Sequence, residues 1–211
     1  MQAVYLGLAI LIAAGLLLVG VGSGGSGGIL NAFTNNGSGG AQKAVVSQEE
    51  QQALKAVRLN PNDAAAWGQL LQARWTTANQ TPDQNATTGA YTTAGRQELA
   101  GAVTAWQRYI ALTKNPDPSL PILASRAYAA LGNWAGAASA WEQETLVSPS
   151  EPKGFECLAV TAYAAGQSRK GDLASAKALS LLSKSAQLTT KTTLQSAKSS
   201  ASTAQQLAAQ C

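Results

Sequence analysis

The chain has 211 residues, of which only 12% are charged, and a net charge of +4 with no block of Lys and Arg interleaved with aromatics, which excludes a nucleic-acid interface on charge grounds. Histidine is absent, which removes the commonest general base and the commonest metal ligand together. The two cysteines, Cys157 and Cys211, are too few for a disulfide framework or a zinc site, so no metal and no cofactor is expected.

The first predicted element is the run "AVYLGLAILIAAGLLLVGVG" at residues 3–22. It is uncharged and long enough to cross a bilayer as a helix, for which roughly 20 residues suffice. A helix satisfies its own backbone where no water can, and Tyr5 stands near one end, where an amphipathic ring prefers the interface. A cleaved signal peptide would call for a positive n-region and an A-x-A site. The run is therefore read as a single-pass anchor. No Lys or Arg precedes it, so charge leaves its orientation open. The Ser, Thr and Gln content places the rest of the chain outside the cytoplasm as an expectation.

Residues 23–43 follow as a Gly/Ser-rich tether, interrupted by the apolar island "ILNAF". From residue 44 the pattern is helical, and no stretch alternates with period two. "SQEEQQALKAVRLNP" reads as a lone helix ahead of a repeat. Three joints, "NPNDAAAW", "NPDPSLP" and "SPSEPKGF", each supply a proline that stops one helix and a polar residue that caps the next. Similar joints at intervals imply an internal repeat.

The stretch "AYAALGNWAGAASAW" holds the clearest copy. Tyr128, Gly132, Ala137, Trp141 and Pro149 stand in the order and spacing of the tetratricopeptide repeat, a helix–turn–helix unit of about 34 residues. The chain resembles that family over residues 47–188. An earlier copy begins at Trp67, Leu70 and Leu71, has Arg74 where the tyrosine is expected, and continues in a second helix within residues 100–116 after a polar insert at 76–95. A later copy begins at Phe155 and Leu158, turns near Gly166, and resumes helix after "QSRKGD". Residues 189–211 are predicted as a capping helix after a break at "TTKTT". Lys177, Lys184, Lys191 and Lys198 recur every seven residues and are read as a solvated face split by that break.

The resemblance implies an all-α, tetratricopeptide-like solenoid of antiparallel helix pairs behind one transmembrane helix. It implies a concave surface lined by the first helix of each pair, with Gln72, Trp75, Arg126, Lys153, Glu156 and Tyr163 facing a protein partner. Of these, Trp75, Arg126 and Tyr163 are expected to be at least partly exposed. No catalytic constellation is expected. Cys157 lacks a base to activate it, the neighbouring carboxylates Glu49/Glu50 and Glu142/Glu144 read as exposed, and both cysteines read as unbridged thiols, with a Cys157–Cys211 bridge as the alternative. The layout resembles bacterial membrane-anchored tetratricopeptide proteins. That implies a scaffold or adaptor beside the membrane, in translocation or envelope assembly. An accessory subunit of a membrane complex and a peptide- or glycan-binding protein with an aromatic-lined groove are the alternatives.

Overall fold

The computed structural model describes residues 46–80 and 83–211. The predicted anchor at 3–22 and the tether at 23–43 lie outside the described residues. Among the described residues no helix is long and apolar enough to cross a membrane.

These residues form nine helices and no strand: α1 Gln48–Leu59, α2 Ala64–Ala78, α3 Thr93–Leu112, α4 Ser119–Ala130, α5 Trp134–Val147, α6 Pro152–Ala164, α7 Ser168–Leu181, α8 Lys184–Ser199 and α9 Ala201–Ala208. The all-α expectation holds for them. Local chemistry sets the boundaries. Side-chain oxygens of Ser47, Asp63, Thr92, Asn133 and Ser200 accept first-turn backbone N–H groups and cap α1, α2, α3, α5 and α9. Pro152 opens α6, where a missing N–H costs nothing. Gly132 and Gly166 take φ of 74° and 71°, the left-handed region in which a side chain is strained, and so reverse the chain between α4 and α5 and between α6 and α7.

From α1 to α7 each helix packs on the next in chain order, and α2 also touches α4. Three helix pairs share one device. A long, flat side chain of the first helix lies where a glycine of the second leaves room: Arg74 on Gly101, Tyr128 on Gly136 and Tyr163 on Gly171. A methyl group at any of the three glycines would overlap the side chain above it. Arg74 thus takes the same packing position as Tyr128 and Tyr163 with a different chemistry.

Helix α5 explains the alanine-rich stretch. It is buried on two sides: Ala137 and Ala140 join the cluster built from α1 to α4, while Ala138 and Trp141 join the cluster built with α6 to α9. A helix pressed between two layers cannot present a broad polar face.

Three boundaries depart from the sequence reading. The polar insert is shorter than 76–95, because α2 runs to Ala78 and α3 starts at Thr93. The "TTKTT" segment does not break a helix: α8 continues through it, and the break falls at Ser200, whose extended backbone caps α9. Thr192 and Thr193 hydroxyls donate to the carbonyls of Leu188 and Thr189 four residues back, which lets threonine persist inside the helix. The lysine row therefore splits earlier than expected, with Lys177 on α7 and the other three on α8.

Candidate functional site

The six residues expected to face a partner divide into two groups. Gln72 is exposed and lies in a groove of about 560 Å³ between α1 and α2, together with Glu49, Gln52, Gln69, Thr76 and Gln80. Amide and hydroxyl side chains dominate this groove, and each glutamine offers both donors and acceptors. Trp75 is half-buried and packs against the first core cluster, so it is divided between core and surface.

Of the other four, Arg126, Lys153 and Glu156 meet the C-terminal end of the same chain, and Tyr163 turns onto α7. Arg126 is exposed, yet its Nε and Nη2 donate to the main-chain oxygen of Cys211 at 3.2 and 2.9 Å. Lys153 and Glu156 form a loose ion pair at 3.9 Å and line a cavity of about 140 Å³ closed on the far side by Leu194, Leu207 and Cys211. Tyr163 is a correction. Expected on the open surface, it is 7% exposed, laid on Gly171, with its hydroxyl bonded to Asp172 at 2.9 Å and Ser175 at 3.1 Å. Burial first, and then Asp172 beside it, push its phenol above the ordinary value. A neighbouring glycine made the ring's inward position attainable, a signal that a repeat match alone does not weigh.

The cysteines are a second correction. Cys157 and Cys211 are joined in a disulfide, with Cα atoms 5.7 Å apart and a separation of 54 positions in sequence. Cys157 sits fully buried in α6, and the fold brings the C-terminal end onto it. No spacing rule in the sequence reports that approach.

The carboxylates are a third. Glu50 and Glu144, read as exposed, are 1% and 6% exposed. Glu50 pairs with Arg74 Nε at 3.3 Å and accepts from Thr77 Oγ1 at 3.3 Å. Glu98 lies in the same interior, and its carboxyl is pushed up to about 7 by burial and by the charge of Glu50, against the pull of Arg74. Asp83 of the loop before α3 is also buried there, raised by the same loss of water. Glu144 is raised mainly by burial and occupies the space that Gly154 leaves in the first turn of α6.

This interior cluster ties α1, α2 and α3 together. Its side chains are buried, Glu98 among them. Among the described residues no group of His, Cys, Asp and Glu is arranged to hold a metal ion. No protein-family model matches the chain, and no curated protein matches it.

Proposed function

We propose that this chain is a membrane-anchored scaffold of the tetratricopeptide kind, whose helical domain binds a protein partner beside the membrane. The observation that carries the reading is the open, glutamine-lined groove between α1 and α2, which holds Gln72, one of the residues the resemblance assigns to partner contact. Its amides suit an extended or irregular peptide segment, whose own main-chain groups need both donors and acceptors. The recurring pair of flat side chain and glycine supports a repeat built from helix pairs. The disulfide supports an oxidising compartment, and hence an extracytoplasmic domain, since such bonds persist there.

The test is capture of partners from detergent-solubilised membranes of the native host by the full chain and by a Gln69→Glu/Gln72→Glu double variant. Both positions are exposed, so the melting temperature should stay within about 2 °C. Binding through the groove predicts at least about a tenfold loss of captured partner, because a hot-spot contact of roughly 1.4 kcal/mol corresponds to that factor. Undiminished capture by the folded variant would refute the groove. Carbonate extraction of the same membranes checks the anchor: release of the chain into the supernatant would refute it.

A further inference from the structure

Helices α8 and α9 form a hairpin that returns to α6, and both pack against it. Little apolar surface holds them there. In the two helices only Leu194, Ala197, Ala204 and Ala208 are buried, and three of these four contribute a single methyl group. Ordering two helices against so little burial is a weak bargain in water. The seam is also incompletely filled, since the 140 Å³ cavity lies between Lys153, Glu156 and Val160 on one side and Leu194, Leu207 and Cys211 on the other.

Four point contacts hold what burial does not. They are the Cys157–Cys211 disulfide, the two hydrogen bonds from Arg126 to Cys211, the Lys198–Asp172 ion pair at 2.7 Å and the 3.5 Å contact of Thr190 with Glu156. The ion pair is half exposed and the last contact is long, so neither holds firmly. The covalent bond is the decisive one. It also fixes Cys211 in reach of Arg126.

We propose that the face of α6 beneath this hairpin is a helix-docking surface, held shut by the chain's own tethered tail and vacated for a partner helix of the same small-residue chemistry when the Cys157–Cys211 disulfide is reduced. The tail itself shows the chemistry the face accepts: Leu or Ala at three- and four-residue spacing, as at Leu194/Ala197 and Ala204/Ala208, with a main-chain oxygen presented to Arg126. The reductant is a dithiol. Its first thiolate attacks Sγ of Cys211, because Cys157 is fully buried and Cys211 only half so. That forms a mixed disulfide on Cys211 and releases Cys157 as a thiolate, which takes up a proton. The second thiol of the reductant loses its proton and displaces Cys211, which is protonated in turn. Two electrons pass to the protein, and the dithiol leaves as its own disulfide.

The experiment uses the full chain as wild type and as Cys211→Ser, with hydrogen exchange read at residues 201–208. The probe is a synthetic peptide of residues 184–211 that retains Cys211, supplied in a glutathione redox buffer. In Cys211→Ser, α9 amides should exchange at least about tenfold faster than in the oxidised wild type while α1 to α5 keep their protection. The peptide should then be trapped on Cys157 as a mixed disulfide, seen by mass. Reduction of the wild type with a dithiol must give the same faster exchange, which keeps the test valid should the variant fold poorly. Unchanged α9 protection after reduction would overturn the proposal, as would equal trapping of a peptide carrying Leu194→Asp and Ala204→Asp. Dimerisation of the variant with α9 still protected would overturn it in favour of tail exchange between two copies.

Discussion

Arg74 and Glu98 show how much one side chain decides here. Arg74 supplies a positive charge beside buried Glu50, which offsets part of the cost of taking that carboxylate out of water. Glu98 feels the same guanidinium, but burial and the charge of Glu50 outweigh that pull: its ordinary value of 4.5 rises to about 7, and one of its oxygens has no hydrogen-bond partner. A carboxyl raised in the folded state stabilises the fold below its unfolded value, and that contribution is lost as pH climbs through the folded one. The melting temperature should therefore fall between about pH 5 and about pH 8. Glu98→Gln keeps the shape and cannot ionise, so it should flatten that decline and raise the melting temperature at the alkaline end. A variant that melts with the wild-type pH profile would remove Glu98 as its source. The helix-pair glycines give a second residue-scale test. At an ordinary helix position Gly→Ala stabilises by about 1 kcal/mol. At Gly136 the new methyl would overlap the ring of Tyr128, so Gly136→Ala should instead destabilise by about 1–3 kcal/mol in urea unfolding.

At the scale of the elements, α5 is the hinge of the packing. Its two buried sides join the clusters on either hand, and Trp141 is its largest buried group, 4% exposed. Trp141→Ala should cost about 3–5 kcal/mol. Because α5 belongs to both clusters, the loss should lower together the unfolding midpoint seen by circular dichroism and that seen by the fluorescence of the four remaining tryptophans, Trp67, Trp75, Trp106 and Trp134. A drop confined to one probe would mean that the clusters unfold separately. Much of this level is legible in the amino acids. Ser47, Asp63, Asn133, Pro152, Gly132 and Gly166 act within a turn of where they stand, so α1 and the reversals into α5 and α7 follow from nearest neighbours. The threonine-rich part of α8 was less legible, since threonine serves a helix or a break according to whether its hydroxyl returns to the preceding turn.

At the scale of the whole described region, one groove is open and another helix face is covered. The open groove lies between α1 and α2, and the covered face is the part of α6 under α8 and α9. Closing a loop of 54 residues by a disulfide is worth about 4 kcal/mol in the chain-entropy account, comparable to a large core side chain. That single bond outweighs the alanine contacts of the tail.

The amino-acid order by itself determined the helical class and the turns at Gly132 and Gly166, since each depends on contacts a few residues long. Only the tertiary structure decided that Tyr163 turns onto Gly171, that Glu50, Arg74 and Glu98 share one interior, and that Cys211 reaches both Cys157 and Arg126. These pairings join residues of different helices, or a helix and the chain beyond α9, from 8 to 85 positions apart. Which of them form depends on how whole helices stack and where a glycine leaves room, and no local pattern of residues encodes that.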